Sequence, residues 1–441
     1  VDRVEQRFGG RPNSVRPREA DHPAPSRSMT AAAPNPAGVS VRFLGWRVAA
    51  LATITAALSG PGQTIGVAVF VDPMIETLAL TRSEVSTGYL VGTLVGAGLL
   101  VFVGRWIDRV GTRTAMSWIG LAFGFALLVM AGVQGIATLT LGFILIRWLG
   151  QGSLMLVSQL SITPWFERRR GFVFGLSTTA TASLIALTPV LLGLVISGFD
   201  WRLAWVVAAV AVWLVVLPIA RLGIIDRPSD VGQTPDGDPA PHPSEPVIER
   251  PSMTRRQALR QVRFWVLGLV LATTSMLVTA LNFHQISILG EQGLTLTEAA
   301  AMFLPQIAGT IVAGLIFGTL ADRVPAGPLL AMTMVLLGIT LVLAALLQPG
   351  LVILAYAVLL GAAAGSQWPL TSTIMPRWYG LANVGAIQGF ASLFVVGGSA
   401  LGPVLLAVAN DGIGGYGQAA WVLLALPLVM GLAALTIRET R

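Results

Sequence analysis

From Arg47 to Ile437 the chain alternates apolar runs with short polar breaks, and this alternation decides the solvent in which it can fold. Each run is about 20 residues long, enough to cross the roughly 30 Å hydrocarbon core of a bilayer as a helix. Lipid offers a backbone no hydrogen bonds, so a spanning segment must satisfy its own N–H and C=O groups. Runs of this length do so as helices. Spans are expected near 48–71, 84–104, 114–133, 138–160, 171–197 and 204–221, then near 264–288, 298–320, 327–347, 350–373, 383–409 and 418–437. The expected fold is an all-α membrane protein of twelve transmembrane helices in two six-helix repeats, residues 44–222 and 264–437. A polar, proline-rich linker at 223–263 joins them, with one short surface helix expected near 254–262. Residues 1–43 and 438–441 form tails. The chain opens with Val1, and Met29 stands shortly before the first span. Residues 1–28 are therefore expected to be an alternative-start extension.

Composition supports lipid as the solvent. The chain is 54% hydrophobic and 11% charged, with a mean hydropathy of +0.76, whereas a soluble domain carries about 25% charge. It has no cysteine, and all 28 basic residues are arginine. Disulfides, thiolate catalysis, Schiff-base chemistry and a P-loop lysine are thereby excluded. No enzyme, no cofactor and no metal site is expected.

The net charge of +7 reads as topology. With both termini inside, Arg105, Arg109, Arg113, Arg168, Arg169, Arg170, Arg221, Arg227, Arg323 and Arg377 fall on the cytoplasmic side, and external loops receive only Arg82 and Arg202. This is the positive-inside pattern of a multi-pass protein, expected here in the bacterial inner membrane. The excess charge faces anionic lipid headgroups. No nucleic-acid partner is expected, since interleaved stacking aromatics are missing.

Sliding the chain on itself by 214 residues superposes Leu80-Thr81-x-x-Glu84 on Leu294-Thr295-x-x-Glu298 and Gly104-x-x-x-Asp108-Arg109-Val110 on Gly318-x-x-x-Asp322-Arg323-Val324. Gly171 and Gly175 meet Gly385 and Gly389, and Pro189 to Leu192 meets Pro403 to Leu406. One offset across several spans marks structural repeats. Thr81 with Glu84, and Thr295 with Glu298, have the spacing of a capping box at a helix start. Pro189 and Pro403 are expected to kink their helices.

The segment Gly104-Arg105-Trp106-Ile107-Asp108-Arg109-Val110-Gly111-Thr112-Arg113 resembles the signature loop of the major facilitator superfamily, and it falls between spans 2 and 3 as that signature requires. Asp322-Arg323 repeats it between spans 8 and 9, with Pro325 and Gly327 where the second glycine and last basic residue would stand. Arg147-Trp148-Leu149-Gly150-Gln151-Gly152 in span 4 resembles a second element of that superfamily. The resemblance covers essentially 44–437. It implies a carrier with alternating access, its cavity lined by helices 1, 4, 7 and 10, and a gate at Gly104, Asp108, Arg109, Gly111 and Arg113 with Asp322 and Arg323 as the degenerate counterpart. Gly60-Pro61-Gly62, the string from Arg227 to Gly237, and Arg168-Arg169-Arg170-Gly171 resemble a narrower branch, the bacterial monocarboxylate and oxalate–formate carriers. That branch is expected to hold basic residues in spans 8 and 11, and this chain has none there.

An ionisable group within hydrocarbon marks function by default. Only Arg147 and His284 fall inside the spans; all 21 acidic residues lie outside the span cores. Arg147 sits roughly 14 Å into span 4. It reads as a receptor for a carboxylate, because guanidinium stays charged and binds bidentately. The competing reading is a structural arginine held by span 1 carbonyls freed at Gly60-Pro61-Gly62. His284 is a candidate proton-coupling group or a plain hydrogen-bonding residue. Gln63, Thr64, Asn282, Gln367 and Trp368 complete the expected substrate-binding set, with Gln285 beside it. Asp108 is expected to cap a neighbouring helix and pair with arginines across the halves. The expectation is a monomeric secondary transporter of a small organic anion, a monocarboxylate in its narrower form, coupled to protons. The alternatives are an exporter of amphipathic compounds, with Arg147 structural, or a transporter-shaped sensor using 223–263.

Overall fold

The computed structural model describes residues 43–237, 253–321, 323–380 and 384–437, the side chains of residues 368 and 384–386 apart. Eleven helices among them are long and apolar enough to cross a membrane. The first crossing precedes these and is broken. Its helical pieces Gly45–Ala57, Thr64–Ala68 and Val71–Leu78 are together α1, with the 3-10 turn Gly60–Gly62 between the first two. Then come α2 (Arg82–Val110), α3 (Thr112–Ala131), α4 (Ile136–Trp165), α5 (Arg170–Gly198) and α6 (Trp201–Gly223). After the linker follow α7 (Val262–Phe283), α8 (Leu296–Ala321), α9 (Ala326–Ala345), α10 (Leu351–Tyr379), α11 (Val384–Ile413) and α12 (Tyr416–Leu435).

Local chemistry sets the helix starts. At α2 the Thr81 Oγ1 accepts from the Glu84 N–H at 3.2 Å, and Glu84 accepts from the Thr81 N–H at 2.7 Å. The repeat at α8 has the same reciprocal bonds, Thr295 with Glu298 at 3.3 and 2.9 Å. Both capping boxes were legible as a threonine and a glutamate three apart. Helix α2 runs past its expected end at 104. Its 29 residues span about 44 Å at 1.5 Å per residue, more than the hydrocarbon needs. The charged residues Arg105, Asp108 and Arg109 therefore ride on its last two turns, and Gly111 is the whole connection to α3. At φ +82° that position suits glycine, which has no Cβ to clash.

Pro189 interrupts α5, which divides into Arg170–Ile185 and Leu187–Gly198. Helix α11 continues through Pro403. Helices cross closely where one lacks a side chain: a Cβ at Gly361 of α10 would lie 2.0 Å from the Gln306 carbonyl of α8, and one at Gly402 of α11 2.1 Å from the Met276 carbonyl of α7. Such approaches are how helices gain dispersion contact when lipid removes the hydrophobic drive between them. Side chains such as Phe102, Phe172, Leu214 and Leu432 are exposed on the outer surface, the arrangement expected of a lipid-facing belt.

The arginine-rich turns define a basic face. There the linker is docked against the first six helices. Asp226 accepts from the Thr112 hydroxyl at 2.7 Å and the Arg113 N–H at 2.8 Å, capping α3. Asp236 accepts from the N–H groups of Glu167 and Arg168 at 2.9 and 2.8 Å, just before α5. Trp165 donates to the Ile225 carbonyl, and Gln233 accepts from the Leu44 N–H. Past residue 252, the short helix Arg255–Leu259 sits on the other half, where the Met253 N–H donates to the Tyr379 carbonyl at 2.8 Å. The expected tails at 1–43 and 438–441 lie outside the described residues, Phe43 apart.

Candidate functional site

The site grows from two irregular segments that meet. In α1 the sequence Gly60-Pro61-Gly62 forms a tight turn and Gln63 is extended, at φ −83° and ψ 157°, which leaves carbonyls without intrahelical partners. In α4 residues Arg147–Leu154 are wound as π-helix, a geometry that recurs at functional sites. The two lie backbone to backbone: a Cβ at Gly62 would sit 2.7 Å from the Ile146 carbonyl oxygen and 3.3 Å from the Gly150 Cα.

Arg147 fills the junction and is 4% exposed. Its Nη1 donates to the Gly62 carbonyl at 3.3 Å and its Nε to the Thr93 hydroxyl at 3.1 Å. The guanidinium lies 4.8 Å from the centre of the Tyr89 ring, a cation–π contact strengthened by desolvation. No carboxylate partners it among the described residues. The cation is thus held by dipoles and a ring face, without a counter-charge. Tyr89 shares a 2.7 Å hydrogen bond with Thr64 and packs against Phe283 of α7 at 4.6 Å between ring centres. It connects the arginine to the opposite half.

Gln63 Nε2 donates to the Ser59 hydroxyl at 3.0 Å. Gln63 also lines a cleft of about 140 Å³ among α1, α4 and α5, whose other polar groups include Ser158, Gln159, Ser177, Thr178 and Thr181. The cleft lies in the basic-face half of the molecule and carries no charge. Gln151, one turn beyond Arg147, has its Oε1 buried without a partner.

A second break separates α7 from the helical turn Gln285–Gly290. His284 stands in it, fully buried. A carbonyl can only accept, so Nε2 donates to the Pro403 oxygen at 3.0 Å; Nδ1 then accepts from the Tyr416 hydroxyl at 3.2 Å. Both ring nitrogens are engaged. Gln285 accepts from Gln306 of α8, while its own Nε2 and the Asn282 Oδ1 are buried without partners. Gln367 donates to the Leu271 carbonyl at 3.1 Å, about 16 Å along α7 from Asn282 at 1.5 Å per residue. Trp368 lies on α10, and its side chain is outside the described residues. The structure therefore gathers Arg147, Gln63 and Thr64 at one break and Asn282, His284 and Gln285 at the other, with Tyr89 and Phe283 between them; Gln367 stands apart.

In the expected gate, Asp108 and Arg109 are exposed on the last turn of α2, and no hydrogen bond or ion pair joins Asp108 to a described residue. The capping role expected of Asp108 is filled at α3 by Asp226, against which Gly111 packs: a Cβ there would sit 2.8 Å from the Asp226 carboxylate. Arg113 donates to the Arg221 carbonyl. Gly104 has no neighbour within 4 Å of an added Cβ. Arg323 is exposed, and Asp322 lies outside the described residues. Burial opposes ionisation of Asp236, yet the backbone N–H groups of Arg168, Glu167 and Arg169 and the Arg168 charge outweigh it and hold this carboxyl below its ordinary value.

Tyr89, Thr93, Asp226 and Asp236 were not singled out from sequence. A tyrosine and a threonine in an apolar helix read as packing, and the two aspartates sit in a polar linker where any acid looks solvated. The one signal for the aspartates was their proximity to the prolines and glycines of the linker.

Comparison with known proteins agrees with this architecture. The Major Facilitator Superfamily model matches residues 50–353 and 288–441. Human monocarboxylate transporter 11 is 28% identical over 420 residues, covering 89% of this chain and 82% of that protein. Human monocarboxylate transporter 14 is 28% identical over 157 residues, 35% of this chain and 30% of that protein. Among solved structures, a bacterial homologue of the human lysosomal transporter Spinster, inward-facing and occupied, superposes with a TM-score of 0.67 at 17% identity, over 89% of this chain and 96% of that one. The nucleoside transporter NupG superposes with a TM-score of 0.71 at 12% identity, over 90% and 100%. At such identities the structures speak to the fold alone.

Proposed function

The chain belongs to the major facilitator superfamily, a multi-pass family of membrane transporters rather than enzymes, and from that membership we propose that it carries a small organic anion, a monocarboxylate, by alternating access. The observation that carries this reading is Arg147: a buried guanidinium with two neutral acceptors, a ring face and no acid partner among the described residues. Burying a lone charge is costly, and a carboxylate that pairs with it removes most of the cost. An organic anion meets the mirror problem in hydrocarbon. Paired at the α1 and α4 breaks, the two form a neutral unit that can be occluded. The similarity to monocarboxylate transporter 11 supports the same class of solute.

In this reading the basic face is cytoplasmic, as the positive-inside rule requires, and the protein works as a monomer in the inner membrane. A proton accompanies the anion. The span cores offer it the His284 ring or the solute's own carboxyl group; the ring leaves the carboxylate free to pair with Arg147, and protonating it requires the Tyr416 hydroxyl to turn from donor to acceptor at Nδ1. The exporter reading draws on the uncharged cleft, whose walls include Met155, Ile162, Phe174 and Ile185.

Purified protein in liposomes, offered labelled monocarboxylates at two pH gradients, tests the proposal. Accumulation that rises with the inward proton gradient is the expected result. Failure to move any acid, with transport of an uncharged amphipath instead, would replace the anion reading with the exporter reading.

A further inference from the structure

Away from the basic face, the two halves are joined by a compact polar network that adjoins the α7 break. The turn between α1 and α2 brings Asp72 and Arg82 together, with Oδ1 2.8 Å from Nη1 and both side chains about a quarter exposed. Both residues belong to the first half. The second half reaches both of them with the hydroxyl of Ser287, in the helical turn after the α7 break. Ser287 donates to the Asp72 carboxylate, with its Oγ 2.8 and 2.9 Å from the two oxygens, and accepts from Arg82. Arg82 also lies 5.6 Å from the centre of the Tyr416 ring, and Tyr416 donates to His284. Glu291 and Asp411 are the other charged groups nearby, the latter accepting from Ser83 at 2.6 Å.

We propose that Ser287 is the closing contact of the gate on this face and that the Asp72–Arg82 pair is its charged receptor. The inference rests on the alternating-access reading but not on the identity of the solute. The division of charge explains why the contact suits a gate that must open on every cycle. Both charges are on the same half, so separation of the halves leaves the ion pair intact and strands no buried charge. What opening gives up here is the hydroxyl's hydrogen bonds, one cation–π contact and the exposed Ser83–Asp411 bond, each of which water can replace. Because Tyr416 touches Arg82 and bonds His284, and His284 bonds Pro403, the latch connects to the α7 break and to the proline of α11. Opening it therefore displaces the site's second break.

The natural absence of cysteine provides the test. Ser197 of α5 and Thr297 of α8, whose hydroxyl oxygens are 3.3 Å apart, span the halves on the same face away from the latch. A Ser197→Cys, Thr297→Cys pair reports closure through its oxidative crosslinking rate, with no solute present. Adding Ser287→Ala removes bonds to both charged partners and is expected to slow crosslinking about ten-fold or more, the equivalent of at least one lost hydrogen bond to a charged group, whereas Ser287→Thr keeps the hydroxyl and the parental rate. Asp72→Asn, which replaces the carboxylate that accepts from Ser287 across the halves by a neutral amide, is expected to slow it as well. Parental crosslinking rates in both Ser287→Ala and Asp72→Asn would overturn the proposal. Should every organic anion fail in the uptake assay while these rates still fall, the solute reading is lost and the latch stands.

Discussion

Arg147→Gln separates a receptor arginine from a structural one, because the two roles move stability in opposite directions. In the empty protein the substitution removes charge-assisted bonds to Gly62 and Thr93, each worth about 1.5–3 kcal/mol. It also removes a buried, uncompensated cation, whose burial costs several kcal/mol. These effects nearly cancel, so the empty variant should unfold within a few degrees of the parent, or above it. Solute binding has no such offset. Truncating one partner of a buried, hydrogen-bonded charge pair costs about 2–5 kcal/mol, which is about 30-fold to several thousand-fold in affinity at about 1.36 kcal/mol per decade. Arg147→Lys keeps the charge but not the planar fork and should fall between. The assay pairs thermal unfolding, with and without a transported monocarboxylate, with KM for uptake in liposomes. An unfolding temperature lowered by many degrees with KM within two-fold of the parent would refute the receptor argument and leave Arg147 as a brace for α1.

Gly62→Ala should be harsher than its size suggests, because its Cβ would press on the Ile146 carbonyl at 2.7 Å. Backbone cannot yield as a side chain does, and a cost of about 1–3 kcal/mol with loss of most uptake is expected; parental KM and stability would show that the two breaks need not touch. Asp108 is exposed and has no ion pair among the described residues, so Asp108→Asn should change stability by less than about 1 kcal/mol yet slow turnover by disfavouring closure of the basic face. Unchanged transport by a correctly inserted variant rules out that gating role. Asp236 has a depressed folded-state value, so its contribution is present above the ordinary carboxylate range and is lost as pH falls through the folded value. Amide exchange at Glu167 to Arg169 should accelerate on such acidification and, in Asp236→Ala, already be fast at pH 7. Protection that is insensitive to both would mean that the linker does not cap α5.

What the sequence made legible followed from the solvent. A bilayer allows so few backbone solutions that hydropathy alone implied helices, and the Thr81 and Glu84 spacing with its copy at Thr295 and Glu298 pinned two helix starts. Gly60-Pro61-Gly62 announced the α1 break, because no uninterrupted helix carries that string. The α7 break was less visible: Asn282, Phe283, His284 and Gln285 contain neither glycine nor proline, and the departure depends on Pro403 and Tyr416, more than a hundred residues away. The π-helical winding of α4 has no local signature either. Arg147 was found because charge in lipid is rare, but Tyr89 and Thr93, which hold it, are ordinary residues made important by the crossing of α2 and α4. The Asp72–Arg82 pair looked like two loop charges until Ser287 was placed between them.

The docked linker has a mechanical consequence. Its first part is fastened to one half through Asp226, Gln233 and Asp236 and its last part to the other through Met253, leaving residues 238–252 as the covalent tether. A strand of that length can reach about 50 Å when taut, far more than rocking helices travel. Chain connectivity through it therefore sets no close limit on how far the halves can separate. Force that one half exerts on the other is carried by contacts between helices, among them the buried seam where Tyr89 meets Phe283 and the rim where Ser287 meets its ion pair, Ser83 meets Asp411 and Ser197 meets Thr297.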